Sequence, residues 1–439
     1  MEQVNKIRVA MICHFSTPEV RVHLPLDERK SYTVLRRLLG MPTKGVGYGD
    51  IAPWDKSTIS FFKERDDIEL HVISAHSGLK QRVVSFEDQG VSYSFVRCDG
   101  ATMLKRVVPN DTLWRKLNPM VKVVHGLLSH IKPDIVLLVG LENAYYSSTV
   151  LGIKEYPVFA LCQTVYNNPE RSMYSSVDSK NATTELEILK EHCYFGVYCK
   201  KHYDLVRGLA PGKFIFRYGF PSAGKLLNPV VCKKQYDFVN FALGMSANKG
   251  FTDSIEAIAL VKRKYPQVTL NLVGGGSAEQ KSVLLKLAET LDVLDNVVFT
   301  PFFEKQSDLF LHIQKSRFAV LPCKMDNISG TMVQAMQLGL PIVVYETTGT
   351  PAFNRNKQCA LIAKHSNVEE LAAKMQMLMD DSELARVLSI NAREYQERKA
   401  ELDKQNGIRL IENFRAIIAH FRNSRPIPQE QLFNPEKDD

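Results

Sequence analysis

The sequence predicts an α/β protein built from two Rossmann-like units, and three observations carry that prediction. Short apolar runs alternate with helix-period segments along most of the 439 residues, the pattern of parallel sheets with helices on both faces. Near Pro221–Val231 the pattern breaks at proline, glycine and lysine and then restarts. After the restart, a buried-looking strand ends in Gly274-Gly275-Gly276 and opens a helix, a turn that glycine permits at low steric cost.

In the first half, Ile7–Cys13, Ile68–Ser74, Ser92–Val96, Ile135–Val139 and Val158–Cys162 read as short buried strands. Helical patterns fall at Thr33–Leu39, Leu104–Ile131 and Thr183–Cys193. Tyr194–Tyr198 and Lys213–Arg217 add two strands around a helix, Lys200–Gly208, and the stretch Gly40–Lys56 reads as a loop or lid. Beyond a linker at about 222–235 come strands Tyr236–Leu243, Thr269–Gly274, Asn296–Phe299 and Arg317–Leu321, with a helix at Thr252–Tyr265. Helices Glu369–Leu378 and Leu384–Arg393 precede a last one, Gly407–Phe421, whose stripe Ile408, Ile411, Phe414, Ile418 and Phe421 must pack on something. The expected division is 1–225, 232–400, a helix at 401–422 and a disordered tail at 423–439.

Composition narrows the class. Apolar residues make up 45% of the chain and charged ones 24%, ordinary for a globular enzyme. No apolar run reaches the roughly 18 residues that span a bilayer. The N-terminus is too short in its apolar part and too acid-flanked for a signal peptide. Cys13, Cys98, Cys162, Cys193, Cys199, Cys232, Cys323 and Cys359 form no CxxC pair and no zinc-like spacing, which predicts reduced thiols in the cytoplasm.

The net charge is +8, and residues 1–230 hold +7 of it, 30 Lys/Arg against 23 Asp/Glu. That excess suggests an anionic partner, against the plainer reading of a solvated surface. Basic residues are not interleaved with aromatics in a strip, which argues against nucleic acid. In Ala101–Val124, however, Lys105, Arg106, Arg115, Lys116 and Lys122 lie among Leu104, Val107, Trp114, Leu117 and Met120. This predicts weak peripheral association with an anionic membrane, at its cytoplasmic face; packing on the sheet is the alternative.

The most informative stretch is MDNISGTMVQAMQLGLPIVVYETTGTP, Met325 to Pro351. A polar loop, Asp326 to Ser329, meets Gly330 and a helical turn; a Gly-Leu-Pro turn, the strand Ile342–Tyr345 and a glycine-bearing loop follow. The helix N-terminus leaves N–H groups where an anion can sit. This stretch resembles the donor-site signature of retaining glycosyltransferases of family 4, which build the two-domain GT-B fold. In that family an acid and a glutamate are separated by seven residues; here the positions fall on Asp326 and Gln334.

The resemblance implies GT-B architecture, with two Rossmann-like domains facing a cleft and a C-terminal helix crossing back. It also implies sugar transfer from a UDP- or GDP-linked donor. Asp326 would lie near the transferred sugar, with Ser329, Gly330 and Thr331 at the phosphate and Gln334 on the ribose hydroxyls. The segment GMSANKGF resembles the family's phosphate-binding turn, so Lys249 would lie beside the diphosphate; the arginine that the family adds falls on Met245. Gly275 would approach the donor. Without an Asp-x-Asp motif, no metal ligand is predicted, and no cofactor beyond the nucleotide sugar.

On the acceptor side the resemblance holds only in outline. HFSTPEVRVHL offers His14, Ser16 and Arg21 after the first strand, and Gln163 takes the place of a frequent histidine. The acceptor would be a glycan or lipid-linked glycan in bacterial surface polysaccharide assembly. Two rival readings are a degenerate nucleotide-binding or partner protein, and a UDP-sugar epimerase of the same fold.

Overall fold

The computed structural model describes residues 6–26, 52–169, 178–221, 226–324, 328–347 and 349–436. The expected helix Thr33–Leu39, most of the Gly40–Lys56 loop and Asp326 lie outside them. The chain divides into two compact units, Met1–Gly224 with Leu402–Asp439, and Lys225–Glu401.

The first unit is built on an eight-stranded sheet. Its strands are β1 (Ile7–Cys13), β2 (Ile68–His76), β3 (Val83–Asp88), β4 (Val91–Arg97), β5 (Ile135–Val139), β6 (Val158–Leu161), β7 (Tyr194–Val197) and β8 (Phe214–Arg217), in the order β3-β4-β2-β1-β5-β6-β7-β8. All pairings are parallel except β3 with β4. Both faces are covered, so the central strands read as unbroken apolar runs; all five residues of β5 are buried. Ala10, Ile12, Val136 and Leu138 face one core, with Met120, Val124 and Leu128 of helix Pro119–Ile131. Val9, Met11, Leu137 and Val139 face the other, with Leu410, Ile411, Phe414 and Ile417.

The second unit has six parallel strands: β9 (Tyr236–Gly244), β10 (Leu270–Gly275), β11 (Val297–Thr300), β12 (Ser316–Leu321), β13 (Ile342–Tyr345) and β14 (Leu361–Ala363). Their order is β11-β10-β9-β12-β13-β14. Gly274 is demanded by this sheet, because a Cβ there would lie 2.4 Å from Ala242 O of the neighbouring strand.

The structure corrects several expectations. The run Leu104–Ile131 is three helices, Asp99–Val107, Asp111–Leu117 and Pro119–Ile131. Pro109 and Pro119 cannot supply the N–H of a continuing helix, and Asn110 and Asn118 cap the new ones. Strand β3 had no counterpart in the sequence reading. It is half-exposed, and its hairpin turns at Gln89 and Gly90, both with positive φ, without the usual Asn-Gly signal.

The last helices also differ. Ser382–Asn423 is one helix of 42 residues, because the polar stretch between its two apolar parts consists mostly of strong helix formers. Its buried stripe is Leu410, Ile411, Phe414 and Ile417, while Ile408 and Phe421 are exposed.

The tail is not disordered through residue 436. Phe433 N donates to Ile215 O at 2.8 Å, Leu432 bridges Phe216, and the Phe433 ring stacks on Tyr203 at 5.1 Å. Two apolar anchors, Ile427 and Phe433, are buried, and prolines pre-set the extended backbone between helix and anchor. Trp114 is fully buried and donates to Ala101 O, so it is not an interfacial aromatic. Among the described residues no helix is long and apolar enough to cross a membrane.

Both tryptophans, Trp54 and Trp114, lie in the first unit, so their fluorescence reports its unfolding. Phe433→Ala should destabilise that unit by about 3–5 kcal/mol in urea titration. A disordered tail would leave the midpoint unchanged.

Candidate active site

In each sheet the chain reverses its direction of strand addition once. In open parallel sheets, ligand crevices form outside the carboxyl ends of the strands that flank such a reversal. The two pairs are β9 and β12 in the second unit, and β1 and β5 in the first.

After β9, residues Ala247–Lys249 form a single 3-10 turn and Gly250 opens helix Phe251–Lys262. Gly250 has φ +74, and a Cβ would lie 2.3 Å from Pro322 O in the loop after β12. The two loops therefore touch backbone to backbone. Lys324 N donates to Asn248 O at 3.0 Å, and Lys249 Nζ lies 4.0 Å from Cys323 Sγ. Buried Asn240, pointing up from β9, donates to Gly250 O (3.3 Å) and Ser254 Oγ (2.9 Å). Buried Asp253 adds a second brace, accepting from the Tyr345 hydroxyl (2.8 Å) and pairing with Lys324 Nζ (2.8 Å). Burial and Asp253 together push the Tyr345 hydroxyl well above its usual range.

The loop after β12 leads to helix Gly330–Gln337, capped by Ser329, whose Oγ accepts from Met332 N at 3.4 Å. Ser329 Oγ also lies 2.9 Å from Thr331 Oγ1. Nothing described lies within 4 Å of a Cβ at Gly330, so the start of this helix is open on that side. The Gln334 side chain is half-buried and has no hydrogen-bond partner among the described residues. Gly275 ends β10 with Leu243 O and the Phe302 side chain about its α-carbon. Met245 is buried in the core of this unit beside Phe238 and Phe251.

Thus Lys249 and the helix start carrying Ser329, Gly330 and Thr331 follow the two strands that flank the reversal of strand order in the second sheet. Sequence reasoning missed Asn240, Asp253 and Lys324, which hold those loops. Asn240 lies within an apolar run and Lys324 just after one, whereas Asp253, in the first turn of a helix, carried no such signal.

In the first unit, the loop after β1 carries His14, whose Nδ1 shares a hydrogen bond with the Tyr145 hydroxyl. Burial, then neighbouring His76, lowers the His14 pKa to about 4. Arg21 donates to Ser16 Oγ at 3.1 Å, and Ser16 Oγ lies 3.3 Å from His76 Nε2. With the Gln163 amide oriented to suit its neighbours, its nitrogen donates to Glu142 Oε1 at 3.2 Å and its oxygen accepts from Trp54 Nε1 at 2.5 Å. Asp55 is buried, and its Oδ1 has no partner among the described residues. Burial, then Glu142, raises the Asp55 pKa well above the carboxylate range. Gly140, with φ +88, leaves space that Tyr146 and Glu142 occupy. Asp55, His76, Glu142 and Tyr145 were not foreseen, although Glu142 and Tyr145 directly follow the most apolar strand of the sheet.

The architecture is GT-B. Solved structures sharing it include sucrose-phosphate synthase from Thermosynechococcus elongatus, with TM-score 0.68 and 14% identity over 94% of this chain and 100% of that one. Anabaena Alr3699/HepE, solved with UDP and glucose, has TM-score 0.62 and 13% identity over 92% and 99%. Residues 231–395, in the second unit, match the family model described as glycosyl transferases group 1. An uncharacterized glycosyltransferase of Haemophilus influenzae is 28% identical over 146 residues, and Bacillus subtilis YqgM is 27% identical over 138. These matches span 33% and 31% of this chain, and 40% and 38% of the relatives' lengths.

The buried histidines set a pH dependence. His14 and His202 both have pKa values lowered to about 4, chiefly by burial, against 6.5 when unfolded. Between those values the unfolded chain binds protons that the folded one excludes, so stability falls as pH falls from about 6.5 to 4. Asp55, with a raised pKa, works in the opposite direction. Tryptophan-monitored urea unfolding should give a lower midpoint at pH 5 than at pH 7. In His14→Gln/His202→Gln the difference should shrink by roughly 1–3 kcal/mol per histidine; an unchanged difference would show that these rings are not held neutral.

Proposed function

We propose that the protein is a retaining glycosyltransferase that moves a sugar from a nucleotide diphosphate, UDP or GDP, to a hydroxyl of a glycan or lipid-linked glycan. The observation that carries this reading is the backbone contact of Gly250 with Pro322, which joins the Lys249 turn to the loop leading into helix Gly330–Gln337. A diphosphate at this crevice would meet the Lys249 ammonium and the open N–H groups of a helix start, both suited to developing negative charge. Gln334 would bond the ribose diol through a neutral amide. Asp326, two residues past Lys324, would face the transferred sugar. In the reaction the bond from the sugar C1 to the diphosphate oxygen breaks, and a bond from C1 to the acceptor oxygen forms. The acceptor proton leaves with the diphosphate.

The His14, Arg21 and Gln163 cluster at the carboxyl ends of β1, β5 and β6 would receive the acceptor. His14 is neutral at pH 7, and hydroxyl, imidazole, amide and carboxyl groups together suit a polyhydroxylated ligand. The setting we favour is the cytoplasmic face of an anionic membrane, in surface polysaccharide assembly. Met103, Val107, Leu113 and Leu117 are exposed beside Arg106 and Lys116, which supports weak peripheral contact. No metal or further cofactor enters this reading.

Lys249→Ala and Asp326→Ala should each lower turnover by roughly a hundred- to a thousand-fold while the chain stays folded. Transfer by the unsubstituted enzyme should persist in excess EDTA. Near-normal turnover in both variants, or activity that returns only with Mg²⁺ or Mn²⁺, would overturn the proposed leaving-group chemistry.

A further inference from the structure

A second site lies in the first unit. A cavity of about 520 Å³ is lined by Thr102, Lys105, Arg106, Tyr145, Asp178, Ser179 and Lys180. Three cations share it with one carboxylate. Lys105 Nζ pairs with Asp178 Oδ2 at 2.9 Å and donates to Asn181 Oδ1 at 2.5 Å. Lys180 Nζ lies 3.7 Å from Asp111 Oδ1, at the limit of an ion pair. The Arg106 side chain has no hydrogen-bond or ion-pair partner among the described residues. The Lys105 and Lys180 side chains are only 15% and 12% exposed, and partly desolvated cations in excess of their counter-charges favour an incoming anion.

We propose that this cavity binds the phosphate group of a phosphorylated acceptor, a step that rests on the acceptor role assigned above. Lys105, Arg106 and Lys180 supply charge suited to a doubly charged group, and Arg106 adds a planar fork of donors. Thr102 Oγ1 and Ser179 Oγ supply neutral contacts. The N-terminus of helix Ser179–Glu191 contributes little directly, since Asp178 Oδ1 already accepts from Lys180 N and Asn181 N. Recognition therefore falls to side chains.

Tyr145 gives the cavity its place in the reaction. It lines the cavity, and its hydroxyl is bonded to His14. A phosphate held by the three cations puts the rest of the acceptor against the hydroxyl-binding cluster at the ends of β1 and β5. The volume accommodates a monosaccharide phosphate or the phosphorylated end of a lipid-linked sugar. The chemistry common to the two is a phosphate ester on a sugar.

The test titrates the full chain with inorganic phosphate by calorimetry, in the unsubstituted protein, Arg106→Gln/Lys180→Gln and Lys249→Ala. Phosphate should bind the unsubstituted chain and Lys249→Ala alike, and at least about tenfold more weakly to the double variant. Equal binding in all three, or loss only in Lys249→Ala, overturns the proposal. UDP and GDP titrated in parallel should bind the double variant normally. If neither nucleotide binds the unsubstituted chain while phosphate does, the donor reading fails and this site stands. Circular dichroism checks folding, and Arg106→Lys, which keeps the charge, should retain part of the affinity if the double variant unfolds. Two further arms separate the sources. Glucose 6-phosphate binding that depends on Arg106 and Lys180 marks a soluble acceptor, whereas sedimentation with phosphatidylglycerol vesicles, but not phosphatidylcholine, that depends on the same residues marks a lipid-linked one.

Discussion

Much of the candidate active site depends on one missing side-chain atom. At Gly250 the chain takes a left-handed conformation with its α-carbon against Pro322 O, and no Cβ fits between them. Because they touch there, the loops after β9 and β12 are joined where the sheet's strand order reverses. Lys249 is held on one side of that contact and the approach to helix Gly330–Gln337 on the other. Asn240 and Asp253 stabilise the contact from below with buried hydrogen bonds, which suits a site that must present charge without reorganising.

The first unit applies the same topology to different chemistry. Its reversal lies between β1 and β5, and near it stand a neutral imidazole, the Arg21 guanidinium, two carboxyl groups, an amide and tyrosine hydroxyls. Burial sets the protonation states there. It lowers His14 to about 4 and raises Asp55 well above the carboxylate range, in each case by penalising the charged form. Hydroxyl-rich ligands suit such a surface. Further cations, Lys105, Arg106 and Lys180, line the cavity that Tyr145 shares.

The strands were the most legible part of the chain, because a buried parallel strand is an unbroken apolar run; β1, β5 and β13 match their expected limits. Amphipathic edges were harder. Strand β3 alternates weakly and turns at Gln89-Gly90, and the C-terminal segment's anchors Ile427 and Phe433 are isolated within polar sequence. The 42-residue helix was legible only in its apolar parts, since a polar stretch of good helix formers has no face to detect. At the site, the loop residues stood out by resemblance and by their place after a strand. The braces at Asn240, Asp253 and Glu142 did not, because a polar residue becomes a brace only through partners distant in sequence. Trp114 was misread for a related reason: an aromatic among cations looks interfacial until the fold buries it.

Hydrogen–deuterium exchange with and without UDP or GDP tests the central claim most directly. Binding at the joined loops should slow exchange in peptides spanning 244–254 and 322–335, the segments on either side of the Gly250–Pro322 contact, and leave the backbone about Lys105 and Lys180 unchanged. Protection confined to the first unit, or none with either nucleotide at saturating concentration, would contradict the assignment of this crevice as the donor site.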